Sequence, residues 1–411
     1  MIIQKAFKIR LYPTKEQKVF FNKTFGCCRI IYNELLGLKQ TFYKEYDFAK
    51  IKDTELLTFI KNEYWFMKHA DSQGLCNTFM DCMKAYKNFF KGLSKFPKFK
   101  KKKDKCSYRN AMCQKKLEKL IQGNKILLPT VGLVSFRQDY DFSKLGINKI
   151  YNITIEKSKT NKYFCSISCD VDLKEFEHTG SCIGIDLGIK DLIITSDGQK
   201  FENKKFLKQN EKKIKHLQRL YSKKKKGSKN QEKTKLKLAI GYEKLVNKRK
   251  DYLHKLTTSL VKENTVICIE DLNVKGMLKN HSQAKSIADC CFSMIRSMLD
   301  YKCRWYNRKL VVINRWFPSS QTCNYCGYKY NPEHFNNVKW NQNIRNWVCH
   351  ECGTALDRDL NAATNILNEG LRMLDTVGTT GIQACGEDSS VSTMKHRSSM
   401  KQENQLSLAV N

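Results

Sequence analysis

No run of apolar residues in the 411-residue chain approaches the roughly 20 that a membrane-spanning helix requires. The opening MIIQKAFKIRLYP has no apolar h-region of a secretory signal, so a cytoplasmic protein without a membrane partner is expected. Acidic residues are scarce: 40 Asp and Glu stand against 75 Lys and Arg, a formal net charge of +35. A small domain stays soluble with a net charge of magnitude roughly 2–8, so an excess this large calls for a polyanion. With no membrane segment, nucleic acid is the polyanion expected. Several chemistries are also missing. There is no P-loop GxxxxGK[ST], no HExxH, no GxSxG elbow and no Rossmann GxGxxG, which leaves kinase, zinc-protease and hydrolase readings without support. No internal repeat is visible.

What is present is enough apolar material, 41% of residues with 22 Phe and 18 Tyr, to fill two or three domain cores. The 18 cysteines, without a secretory signal, read as reduced thiols, most of them buried as small hydrophobes and a few gathered for metal.

Phe7, Ile9 and Leu11 alternate with Lys8 and Arg10 up to Pro13, one half-buried strand. The period then becomes helical: Ile31, Leu35 and Leu38 share one face, and Leu75, Phe79, Cys82 and Tyr86 another. Alternation returns at Tyr151, Ile153 and Ile155 and, after a turn at Thr160-Asn161, at Cys165, Ile167, Cys169 and Val171. The first strand and the later β-segment thus form one β-domain into which a helical segment is inserted. Near residue 180 a second module starts with CIGIDLG (182–188), DLIITSDGQK (191–200) and KFEN, a β-meander with an Asp-Gly turn. Two antiparallel helices with a cationic tip at KKKKGSKNQEK (223–233) follow. Strand TVICIED (265–271), a helix near 288–307 and strand LVVIN (310–314) complete an alternating β/α pattern. DRDLNAATNIL (357–367) reads as a capped helix, and from about residue 372 a disordered tail is expected.

Cys323-x-x-Cys326 and Cys349-x-x-Cys352 each run into glycine, Gly327 and Gly353, with 22 residues between the pairs. Two such turns present four thiolates to one tetrahedral zinc, and the glycine permits the tight turn around sulfur. With four protein ligands no position is open, so this zinc is structural.

Asp186 follows Ile183-Gly184-Ile185 and Glu270 ends Val266-Ile267-Cys268-Ile269, places where a charge is costly unless it meets a metal or a cation. Asp359 lies at a helix start. Singly, each is most simply a turn or capping acid. Jointly, two acids on central strands and one on a neighbouring helix can supply the hard oxygen ligands that two-metal phosphodiester hydrolysis needs.

With these residues in place, the sequence resembles the transposon-encoded TnpB family, related to the compact type V CRISPR effector nucleases. The resemblance rests on KAFKIRLYPTKEQ (5–17), FGCCRIIYN (25–33), DSQGLCNTFMDCMKAYKNFF (71–90), KFPKFKKKK (95–103), GIDLGIKDLIITSDG (184–198), IEDLNVKGM (269–277), WFPSSQTCNYCG (316–327), CHECG (349–353) and DRDLNAATNI (357–366). It spans about residues 1–370. It implies a multidomain α/β plus all-β architecture. A wedge β-barrel, oligonucleotide-binding-like, comprises 1–14 and 106–178, with a helical recognition domain at 15–105. An RNase H-like RuvC nuclease domain comprises 179–318 and 355–371, with its helical hairpin at 203–263. A zinc ribbon for target nucleic acid is inserted at 319–354, and the tail occupies 372–411. The family's catalytic acids fall on Asp186, Glu270 and, in DRD, Asp359, with Asp357 the nearby competitor. Leu356 stands where family members often carry His.

The implied function is RNA-guided, Mg2+-dependent cleavage of double-stranded DNA beside a short target-adjacent motif, by a monomer in a ribonucleoprotein with a guide RNA from the transposon end. Nucleoid association would accompany targeting. The competing readings are a nuclease-inactive RNA-guided repressor and a transposase acting directly on transposon ends. Ser72, Gln73 and Asn77 are placed to read base edges or to cap and pack a helix. Lys100, Lys101 and Lys223, Lys224, Lys225, Lys226 are phosphate-binding runs in this context. Ser319 and Ser320 either contact phosphate or cap a turn.

Overall fold

A computed structural model of the chain describes residues 1–42, 53–102, 105–111, 116–137, 140–177, 179–335, 337–340 and 344–378. Strand β1 (Ile2–Tyr12) buries Phe7, Ile9 and Leu11 and gives way after Pro13 to helix α1 (Lys15–Phe42). The switch is made by a reciprocal cap: Gln17 N donates to the Thr14 hydroxyl at 3.3 Å and Thr14 N donates to Gln17 Oε1 at 3.0 Å. Helix α2 (Asp53–Glu63) and α3 (Ser72–Phe90) follow, with Asp71 capping α3 by accepting from Gly74 N at 2.6 Å. The stripe Leu75, Phe79, Cys82 and Tyr86 is buried as its spacing requires.

Strands β2 (Cys106–Asn110), β3 (Ile121–Gln122), β4 (Lys125–Leu128), β5 (Gly132–Phe136), β6 (Ile147–Lys157) and β7 (Tyr163–Asp172), with the one-turn helix α4 (Leu117–Leu120), join β1 in a seven-stranded antiparallel sheet of order β2-β6-β7-β1-β5-β4-β3. Its edges are β2 and β3, and among the described residues no pairing closes it. The expected barrel is therefore an open sheet, whose β2 edge packs on α3. Helices α1 to α3 and this sheet share one continuous hydrophobic core.

One expected strand face is corrected. Cys165, Ile167, Cys169 and Val171 point inward as read, but on β6 the register shifts between Ile150 and Asn152. The bulge buries Ile150 and leaves Tyr151 half-buried, its hydroxyl donating to Asp170 Oδ2 at 2.5 Å.

The second half builds β8 (Cys182–Asp186), β9 (Asp191–Thr195), β10 (Lys200–Glu202), the hairpin α5 (Phe206–Lys223) and α6 (Lys229–Glu263), then β11 (Val266–Glu270), α7 (Val274–Met277), α8 (Ala284–Cys290), α9 (Phe292–Trp305) and β12 (Lys309–Ile313). The sheet order is β10-β9-β8-β11-β12, with β8, β11 and β12 parallel and β9 and β10 antiparallel. A small hairpin, β13 (Asn346–Val348) and β14 (Ala355–Asp357), leads directly into α10 (Arg358–Gly378).

The central strands are buried on both faces, so each residue's parity decides its neighbour. Ile183, Ile185, Ile267 and Ile269 pack with Leu253, Leu256, Leu260 and Leu299 from α6 and α9. The alternate residues meet α10. A Cβ at Gly184 would lie 2.7 Å from Leu367 N and collide with the Ala363 carbonyl, and one at Gly370 would collide with Cys268. Glycine on the strand and glycine on the helix thus bring backbones into contact.

The expected end of the last helix is also corrected. Helix α10 runs to Gly378, because Met373 and Leu374 pack on the apolar cluster of Cys268, Val311, Ile313 and Ile366. The remainder of the expected tail, 379–411, lies outside the described residues.

Candidate active site

Strands β8 and β11 pair in parallel with Ile185 opposite Ile269, so Asp186 and Glu270, one residue further, stand side by side at the carboxyl ends of neighbouring strands. Their parity matches Gly184 and Cys268, which places both on the α10 face. Along α10 the residues against the sheet are Ala363, Leu367 and Gly370, and one turn before Ala363 on the same stripe comes Asp359. Contact at Gly184 therefore brings the first turn of α10 beside the two strand ends.

The electrostatics follow. Burial, reinforced by the charges of Glu270 and Asp359, pushes the Asp186 carboxyl up to about 7, against the opposing pull of Arg358 and the Leu187 amide. Burial also raises Glu270, opposed by the Ser319 hydroxyl that donates to its Oε1. Neither acid has an ion-pair partner among the described residues. The next residue shows the contrast: Asp271 is bridged by Arg315 and Arg296, which hold its carboxyl below the usual range.

Asp357 and Asp359 are both ion-paired and differ in their place on α10. Asp357 Oδ1 accepts from the amides of Asp359 (2.9 Å) and Leu360 (3.1 Å), capping α10, and Oδ2 pairs with Lys200 at 2.9 Å. Despite the penalty of burial, Lys200 and the two amides keep its carboxyl low. Asp359 lies inside the first turn, its oxygens held by Arg345 at 2.7 Å and Arg358 at 2.6 Å. These arginines were not singled out in the sequence, because the contact of Arg345 spans a metal module and has no local pattern. Ser319 was weighed there, and the structure places its hydroxyl on Glu270.

The four cysteines form a cluster in which every Sγ lies within 4.8 Å of the others. The separations Cys323 to Cys352, 3.7 Å, and Cys326 to Cys349, 3.5 Å, match the roughly 3.8 Å edge of a tetrahedron with Zn–S bonds of about 2.3 Å. Both turns are alike: Gly327 (φ 77°) and Gly353 (φ 68°) donate to the carbonyls of Cys323 and Cys349 at 3.0 Å. Four thiols at this spacing fit zinc. The module is fastened to α10 by buried asparagines: Asn361 accepts from Asn324 N at 2.9 Å, and Asn365 Nδ2 donates to the carbonyls of Ser319 (2.8 Å) and Thr322 (2.6 Å).

The residues expected to contact nucleic acid share no contact with the three acids among the described residues. Ser72 is exposed and Gln73 half-buried at the start of α3, whereas Asn77 donates its amide to the carbonyls of Gln73 (2.8 Å) and Arg109 (3.1 Å), which ties α3 to β2. Lys100 lies over the Tyr32 ring at 3.8 Å and its backbone amide donates to Asn33. Lys101 is exposed. Lys223, Lys224, Lys225 and Lys226 are exposed where α5 turns into α6.

Two outcomes are expected. Cys323→Ser or Cys352→Ser will release zinc, measured by metal analysis, and lower the thermal midpoint as the module detaches from α10. Asp186 has a folded value above its unfolded value of about 4, so the metal-free fold loses stability as pH rises from about 4 to about 7. Asp186→Asn will remove that part of the fall in melting experiments.

Comparison with known proteins completes the picture. A family model described as "Probable transposase" matches residues 145–281, and one described as "Cas12f1-like, TNB domain" matches residues 292–366. A third, described as "Helix-turn-helix domain", matches residues 1–47, where the described part of this chain is β1 followed by the continuous helix α1. A Streptomyces pristinaespiralis protein named "Putative RNA-guided DNA endonuclease" is 35% identical over 414 residues, covering 99% of this chain and 98% of that protein. InsQ of Escherichia coli strain K12, with the same description, is 29% identical over 93% of this chain and 94% of that protein. The fold is similar to that in "Cryo-EM structure of the Cas12f1-sgRNA-target DNA complex", with a TM-score of 0.53 at 13% identity over 89% of this chain and 99% of that one. With near-complete alignment to a 35% identical relative and the expected motifs in order, this chain belongs to the TnpB family.

Proposed function

We propose that this protein is an RNA-guided, Mg2+-dependent endonuclease that cleaves double-stranded DNA next to a short adjacent motif, its guide RNA coming from the transposon end. The observation that carries the reading is the pair of unpaired carboxylates, Asp186 and Glu270, on adjacent strand ends with Asp359 delivered beside them by α10. The strand order of the second sheet supports an RNase H-like RuvC domain over 179–318 and 355–371. In this reading the first sheet is the wedge domain, the helices within 15–105 the recognition domain, and 319–354 the target-nucleic-acid-binding insert. The names of the relatives agree with the activity.

The donor set fits a hard divalent cation: three carboxylates, of which Asp186 and Glu270 have no ion-pair partner among the described residues, with the charges of Glu270 and Asp359 adding to the burial that raises Asp186. Asp186, Glu270 and Asp359 would hold Mg2+, which supplies charge neutralisation at the phosphodiester and an activated water. The chain's own contribution is positioning. Ser319 donates to Glu270 Oε1 and so orients the carboxylate that would hold the cation. Asp357 caps α10, while Arg345 and Arg358 hold Asp359 and offer cationic partners to a phosphate. Base pairing with the guide carries sequence specificity, and the basic surface carries the backbone.

The test is the complex purified with its RNA, given matching plasmid and Mg2+. The parent linearises the plasmid, and Asp186→Ala loses on the order of 1000-fold in rate, since a metal ligand supplies several kcal/mol of transition-state stabilisation. Equal, uncut plasmid from both proteins contradicts the endonuclease and leaves the repressor reading. Purification without any discrete RNA leaves the transposase.

A further inference from the structure

Among the described residues the two most exposed large hydrophobic side chains are Trp316, 84% exposed, and Tyr325, 73% exposed. Trp65, nearly as exposed, leans on Phe66 and His69. Neither Trp316 nor Tyr325 has a ring or cation neighbour among the described residues. An indole this bare is unfavourable in water, and on a protein of net charge +35 it is bare for a partner.

Both rings stand on segments tied to the elements that carry the carboxylates. Trp316 directly precedes Phe317-Pro318-Ser319, and Ser319 is held by its hydroxyl on Glu270 and by its carbonyl on Asn365. Pro318 restricts the chain between them. Tyr325 lies in the turn between Cys323 and Cys326, and the adjacent Asn324 amide is bonded to Asn361, two residues beyond Asp359. One aromatic is thus tied to the Glu270 side of the site and the other to the Asp359 side. Arg315, Arg345 and Lys200, each partly exposed, bring positive charge to the same edge.

We infer that Trp316 and Tyr325 are a stacking pair for the bases of an unpaired DNA strand, holding the nucleotides that flank the reacting phosphate against the carboxylates. Paired bases in a duplex hide their faces from such rings, so the pair selects a single strand. Stacking is indifferent to base identity, as an enzyme needs when its specificity is set elsewhere. The location of the reacting phosphate rests on the endonuclease reading above. The rings act as positioning residues and form no bond to substrate.

The experiment uses the guide-loaded complex with target DNA carrying 2-aminopurine in the displaced strand, in Ca2+ to record binding and in Mg2+ to record cutting. The parent quenches the fluorescence. The doubly substituted Trp316→Ala, Tyr325→Ala protein loses the quench and cuts bound target about tenfold or more slowly, while guide-directed capture of the target and the thermal midpoint stay unchanged. Trp316→Phe with Tyr325→Phe retains both quench and rate. Identical quench and cutting rate in the parent and the alanine protein would overturn the inference. If the parent fails to cut, the endonuclease reading falls, but the quench, which needs no cutting, still decides the stacking.

Discussion

The contact between α10 and the parallel strands is the constraint on which the rest depends. Gly184 and Gly370 remove the side chains that would hold the helix away, and Ala363 keeps the remaining layer thin. Because strands alternate and the helix repeats at 3.6, this one contact fixes three things together: Asp186 and Glu270 emerge on the helix side, Asp359 arrives beside them, and the opposite faces are left to α6 and α9. Burying Asp186 there opposes its ionisation, and the charges of Glu270 and Asp359 add to the upward displacement. Such an arrangement persists where a cation completes it.

The four-cysteine module belongs to the same device. Its first cysteine turn is fastened by Asn361 and the approach to it by Asn365, both on the first turns of α10, the helix that carries Asp359. The approach also carries Ser319 to Glu270, and the segment before β13 carries Arg345 to Asp359. A four-cysteine site with no open position therefore acts at a distance, by holding a loop and an arginine where the carboxylates are. The aromatic pair is carried by the same two attachments.

Much of this was legible in the sequence wherever a local rule governs. Alternation located β1 and β7, helical spacing found the buried stripe of α3, and apolar runs ending in an acid marked β8 and β11. Asp271, beside Glu270, was not weighed in the sequence. Only tertiary structure shows that Arg296 and Arg315 neutralise Asp271 and leave Glu270 bare. The bulge that exchanges Ile150 for Tyr151, the open edge of the first sheet and the last turns of α10 also escaped, because each is decided by packing between distant segments. Arg345 had no signature at all, since its partner lies across the cysteine cluster.

The claim that Asp186, Glu270 and Asp359 form one cation site, with Asp357 serving the helix, is tested most directly by Mn2+ binding followed by electron paramagnetic resonance, without recourse to cleavage. The account predicts that Asp359→Ala weakens Mn2+ binding about tenfold or more, as Asp186→Ala and Glu270→Ala do, while Asp357→Ala binds like the parent and loses only about 1 kcal/mol of helix stability. Loss of binding in Asp357→Ala with parental binding in Asp359→Ala would contradict it.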